Sequence, residues 1–303
     1  MECLYVLSKI WLEGEKMYRF PIGVIVDSFK VKIKEGIKKA RELGVDGIQL
    51  YAVSGEMDVD NLDSAKRKEL LDYIKSNGLV VSAVCGDLGG HGFTMKEENP
   101  YKIEKTKRIM DLAKELETNI VTTHIGVIPA DENHPRYKIL QEACEQLGEY
   151  GQSVGVYLAI ETGPEKVEVL KKFLDDLSTK GIKVNYDPAN LVMVTGDDPV
   201  NGVYVLRDYI IHTHAKDGIM LKKTEPEIIY NFFAEGGIED FRLEEYFREV
   251  SLGKGNVNFK EYLKALKEIG YKGFLTIERE VGENPEADIK EAVEFLKEMM
   301  VHI

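Results

Sequence analysis

The sequence has little cysteine, a single tryptophan, no long apolar run and a deficit of positive charge. Its three cysteines, Cys3, Cys85 and Cys144, lie far apart with no CxxC pair. That argues against a disulfide framework or a structural zinc site and fits a reducing, cytoplasmic setting. No apolar run approaches the ~20 residues that span a bilayer. Formal charge is −13, with 53 acidic residues against 40 basic ones. Nucleic acid and anionic membranes are gripped by Lys and Arg, so neither is an expected partner. Nucleotide signatures are missing too. No GxGxxG follows the first strand, and GDLGGHG (residues 86–92) lacks the Lys-Ser/Thr ending of a phosphate loop. No serine nucleophile elbow is present.

What is present suffices for a full core. The chain has 303 residues and 44% hydrophobic content, enough for one α/β barrel of roughly 250 residues with extensions. Residues 1–17 read as an N-terminal extension, either poorly ordered or preceding a true start at Met17. Their short apolar stretch has no basic leader and no small-residue cleavage site. Residues 18–303 read as the barrel.

Strand and helix patterns alternate almost throughout, which predicts a parallel sheet. The expected strands are Pro21–Val26, Gly47–Tyr51, Val80–Val84, Ile120–His124, Val156–Glu161, Lys183–Asp187, Ile210–His214 and Phe274–Glu278. Between them lie amphipathic segments at Val31–Leu43, Ser64–Ser76, Pro100–Leu116, Pro135–Gln152, Glu165–Leu177 and Phe259–Ile269. Gly44, Gly78, Gly181 and Gly270 read as helix C′ positions. Eight strand–helix units imply a (β/α)8 TIM barrel. An insertion between strands 7 and 8, about Gly218–Asn256, reads as either a lid over the mouth or a surface excursion.

Four of the apolar runs end in a metal-type ligand: Glu161, Asp187, His214 and Glu278. A buried charge costs several kcal/mol unless it is paired or bound to a cation. Strand ends are also where barrel active sites lie. Three oxygen donors and one nitrogen favour Mn²⁺ or Mg²⁺, with Co²⁺ or Zn²⁺ admitted by the histidine. The competing reading is that each carboxylate caps a helix or pairs with a rim cation.

His212 lies two residues before His214, so on a strand both point the same way. It is a candidate substrate contact or a core histidine. Lys216 and Asp217 are placed to contact substrate oxygens or to pair with each other. His124 closes the fourth strand and is expected to face the mouth. His91 sits in the Gly-rich loop after strand three, as a substrate contact or an ordinary loop residue. Asn190 is a candidate for a sugar hydroxyl or a turn residue after Pro188. His134 reads as a helix-start residue.

The segments AIETGPE (Ala159–Glu165), NYDPANL (Asn185–Leu191), HTHAKDG (His212–Gly218) and GKGNVNFKEYLKALKEIGYKGFLTIE (Gly253–Glu278) occur in that order. In them the chain resembles the xylose isomerase-like TIM-barrel family over about Arg19 to Val301. That family includes ketose 3-epimerases, such as those of D-tagatose and D-psicose, inosose dehydratases and endonuclease IV. The resemblance implies one metal on Glu161, Asp187, His214 and Glu278, and selects His214 over His212. Departures are Asn190 where epimerases often carry His, no Arg soon after the strand-seven motif, and Gln49 where strand two commonly ends in Glu. A three-metal cluster like that of endonuclease IV cannot be assembled from six histidines, two or more of them poorly placed.

The resemblance implies a ketose or ketose-phosphate epimerase or isomerase. The metal would hold the sugar carbonyl and stabilise an enediolate, while Glu161 and Glu278 transfer the proton from opposite faces. The alternatives are a metal-dependent dehydratase of a keto-inositol or polyol, and a non-catalytic sugar-binding barrel. Dimers or tetramers are common among relatives.

Overall fold

The computed structural model describes residues 11–12, 15–16 and 19–303, apart from residue 240. The expected extension, residues 1–17, and Cys3 therefore fall largely outside the described residues. Within it, Trp11–Leu12 pairs antiparallel with Glu15–Lys16.

Eight parallel strands close into a barrel. In chain order they are β1 (Ile22–Ile25), β2 (Gly47–Tyr51), β3 (Val80–Cys85), β4 (Ile120–Thr123), β5 (Tyr157–Glu161), β6 (Ile182–Tyr186), β7 (Ile210–Ala215) and β8 (Leu275–Ile277). The ring closes where β8 pairs with β1, Leu275 opposite Ile22. These strands are short and apolar because both faces are covered: barrel interior on one, helices on the other. Ile22, Val24, Ile48, Leu50, Leu158, Val184 and Leu275 have no exposed surface.

The helices are α1 (Ile33–Glu42), α2 (Ser64–Ser76), α3 (Asn99–Glu115), α4 (Pro135–Val154), α5 (Val167–Asp175), α6 (Pro199–Val205), α7 (Pro226–Ala234), α8 (Phe259–Glu268) and α9 (Pro285–Val301). The sequence patterns anticipate α1 to α5 and α8. The other three each begin with a proline, which suits the first helical turn because no N–H is needed there. His134 caps α4 as expected, its side chain accepting from the Arg136 N–H. Gly44, Gly78 and Gly270 adopt positive φ, as helix ends require. Gly181 does not. It is glycine because its backbone packs on Gly148, where a Cβ would strike the Gly148 carbonyl.

The connection from β7 to β8 is neither a bare loop nor a plain helix. Asp217–Met220 pairs antiparallel with Phe247–Val250, and α7 lies between them. No helix among the described residues is long and apolar enough to cross a membrane.

Candidate metal centre and cavity

Parallel register brings the polar strand ends to one level. Glu161, the last residue of β5, lies opposite Asn185 on β6, and His214 on β7 lies opposite Thr276 on β8. Asp187 and Glu278 each directly follow their strands. One donor atom from each of Glu161, Asp187, His214 and Glu278 lies within 4.8 Å of the others, and all four residues are buried. His214 Nδ1 is 3.2 Å from Glu278 Oε2, 3.6 Å from Glu161 Oε2 and 3.7 Å from Asp187 Oδ2.

Three of these atoms, His214 Nδ1, Asp187 Oδ2 and Glu278 Oε2, are buried without a hydrogen bond. Most buried polar atoms in native interiors have a partner, so three without a hydrogen bond facing each other call for an explanation. The set fits a divalent ion, and the cluster can hold one. Asp187 also does part of what the competing reading supposed. Its Oδ1 accepts from the N–H groups of Ala189 and Asn190 at 2.7 and 3.0 Å, capping a short turn, while Oδ2 is left for the centre.

Surrounding groups fix the four. Glu161 accepts from Asn185 Nδ2 at 3.0 Å and Asn190 Nδ2 at 2.9 Å, one on each oxygen. Asn190 thus stands against Glu161 at the cavity wall. Asn185 is two residues before Asp187, so the strand pleat sends both side chains to the same side, the one sequence signal for its role. Gln49 Oε1 lies 3.3 Å from His214 Nε2 and 2.9 Å from His212 Nε2. With Nε2 donating to Gln49, Nδ1 is the nitrogen that faces the carboxylates, protonated among them or free to bind a cation held there.

Burial alone would lower the His214 pKa, but Glu278 and Glu161 outweigh it and hold the ring well above its usual range. For Glu278, burial opposes ionisation, yet Lys216 and His214 keep the carboxyl below its usual range. Lys216 and Asp217 do not pair. Lys216 Nζ bonds Glu280 at 2.6 Å and meets Glu278 at 3.1 Å. Asp217 instead accepts four backbone N–H groups, from Gly218, Gly253, Gly255 and Val257.

A cavity of about 590 Å³ opens beside the cluster. Glu161, His214 and Glu278 reach its wall, as do His124, Asn190, Lys216 and His91. His212 does not. It is fully buried, its Nε2 is taken by Gln49, and burial with the neighbouring His214 pushes its pKa down. Of the two readings of His212, substrate contact or core histidine, its place off the cavity wall fits the core one. His124 Nδ1 is 2.9 Å from Asp87 Oδ2, and its Nε2 is 3.6 Å from Glu161 Oε1. Burial would lower its pKa, but Glu161 and Asp87 lift it to about 10.

The β7–β8 connection supplies one wall. Tyr230 of α7 lies 5.7 Å from the His124 ring, and Phe233 also lines the cavity. Polar contacts hold α7 at both ends, an Arg136–Glu227 ion pair and a His91–Glu235 hydrogen bond, each at 2.7 Å. Arg136 and Arg248 join Lys216 as cavity-lining cations. Nothing near the motif residues signals Tyr230 or Arg136, which reach the cavity only through folding.

The model of the xylose isomerase-like TIM barrel family matches residues 37–299. The chain belongs to this family. Among curated proteins it is 26% identical over 214 residues to an uncharacterized protein of Methanocaldococcus jannaschii, covering 65% of this chain. The chain spans about 62% of that relative's length. Among solved structures, a xylose isomerase domain protein from Planctomyces limnophilus shares 24% identity at a TM-score of 0.75, over 92% of this chain and 96% of that one. A probable 3-DHS dehydratase from Bacillus anthracis shares 20% at 0.71, over 92% and 99%. A D-psicose 3-epimerase shares 15% at 0.69, over 93% and 99%. At these identities the likeness to solved structures is one of fold.

Proposed function

We propose that this chain is a divalent-metal-dependent enzyme that moves a proton beside the carbonyl of a sugar, as an epimerase or isomerase. The observation that carries the reading is the convergence of buried ligand atoms from Asp187, His214 and Glu278, none with a hydrogen bond, and from Glu161, beside a cavity of about 590 Å³. A bound divalent ion, with Mn²⁺ first and Mg²⁺, Co²⁺ or Zn²⁺ as alternatives, would polarise the carbonyl and favour negative charge on its oxygen. Glu161 and Glu278 are the proton-transfer pair in this reading. Asn185 and Asn190 orient the first, and Lys216 keeps the second ionised as a base. His124, Asn190, Lys216 and His91 are the proposed substrate contacts, being on the cavity wall. Buried Cys85 and Cys144, both free thiols, agree with a cytoplasmic setting.

A second reading, a dehydratase, is favoured by one observation. His124, held by Asp87 and close to Glu161, offers a further proton donor, which a departing hydroxyl would need. Incubating the Mn²⁺-supplemented protein with ketoses, ketose phosphates and inosose in D₂O separates the two. Deuterium in an isomeric product supports epimerisation or isomerisation, and loss of water supports the lyase. Glu161→Gln and Glu278→Gln should each lower turnover about 10²- to 10⁴-fold while Mn²⁺ still binds. Normal activity in either variant would overturn the assignment.

A further inference from the structure

The charge on the cavity wall bears on which sugars can enter. Resting on the reading above, we propose that the site takes an uncharged polyhydroxylated carbonyl compound and discriminates against its phosphate ester. Seven carboxylates line the cavity against three Lys or Arg side chains and His124, which Asp87 and Glu161 hold as a cation. One divalent ion would not reverse that excess.

Two of the three Lys and Arg side chains are already engaged. Lys216 is held by Glu280 and Glu278, and Arg136 by Glu227. Arg248 stands exposed on the antiparallel hairpin and makes no ion pair among the described residues. Among the lining Lys and Arg side chains it is the one left for an anionic group, and His124 is already held by Asp87.

The usual phosphate corner of such barrels is also closed. That corner lies at the loops after strands seven and eight, near the N-terminus of a helix. Here it holds Glu249 and Glu280, both on the cavity wall. The nearby Arg279 is occupied by Glu249 at 2.7 Å and Asp288 at 2.8 Å. The first turn of α9 carries Glu286 and Asp288, and Asn284 caps it by accepting from the Ala287 N–H. A phosphate would meet carboxylates rather than free donors. Hydroxyl groups suit the same wall, because they donate to carboxylates without bringing charge.

The test uses the full chain loaded with Mn²⁺ and follows water-proton relaxation during titration with D-fructose and D-fructose 6-phosphate, against metal-only blanks. The phosphate ester should bind at least about tenfold more weakly. Glu244→Gln combined with Glu280→Gln should narrow the gap by raising affinity for the ester, while Arg248→Ala should leave the order unchanged. Equal or tighter binding of the ester, binding of neither sugar, or an unchanged gap in the double variant would overturn the proposal. A Mn²⁺ titration run first separates the two levels. No Mn²⁺ binding removes the metal-enzyme reading itself, whereas intact Mn²⁺ binding with a preference for the ester removes only the charge assignment.

Discussion

His214 Nδ1 lies 3.2 Å from Glu278 Oε2, and neither atom has a hydrogen bond of its own. Asp187 Oδ2 is a third such atom. Lys216 Nζ at 3.1 Å partly meets Glu278 Oε2, whereas an unmet buried group such as Asp187 Oδ2 costs about 1–3 kcal/mol, more when charged. A cation between them converts that cost into binding energy available only in the folded state. Mn²⁺ at 100 times its Kd should therefore stabilise the protein by about 2.7 kcal/mol, and chelation should reverse the gain. Urea unfolding with and without metal checks this.

Gln49 holds His214 from behind, at 3.3 Å from Nε2. Groups that orient a metal-binding histidine typically matter 10- to 100-fold in metal affinity. Gln49→Leu should weaken Mn²⁺ binding by about that factor, read by calorimetric titration. It also strips His212 Nε2 of its partner, so unfolding should come at lower urea.

Asp217 ties the β7–β8 connection together by accepting four backbone N–H groups at 2.8–3.1 Å. Asp217→Ala leaves all four without that acceptor. A loss of roughly 3 kcal/mol or more is expected in urea unfolding, beyond an ordinary surface change.

Glu165 is buried, and that burial raises its pKa to about 8, the Ile128 N–H only partly offsetting it. Between its ordinary value of 4.5 and about 8, the folded state binds the proton and the unfolded state does not. Glu165 therefore makes stability fall as pH rises through that window, by on the order of a few kcal/mol. Glu165→Gln removes this contribution. Unfolding at pH 5 and pH 8 should show a smaller difference in the variant than in the parent chain.

The eight strands were legible within a few residues because a strand buried on both faces reads as an unbroken apolar run. The four candidate ligands were legible for a related reason: Glu161 or Glu278 directly after such a run has no packing rationale. Other residues carried weaker signals. Lys216 and Asp217 are neighbours in sequence, yet strand alternation sends one to the cavity and the other to the backbone of residues 253–257. Arg279 directly follows Glu278 in sequence, yet it is spent on Glu249 and Asp288. The contribution of α7 was not legible. Tyr230 and Glu227 reach the cavity by tertiary placement, and no local pattern encodes that.

Calorimetric titration of chelator-treated protein with Mn²⁺ tests the central claim most directly, run in parallel on the parent chain and on Asp187→Asn. One site per chain in the parent, with affinity lost or severely weakened in the variant, is the predicted result. No Mn²⁺ binding in the parent, or equal binding in both, would contradict it.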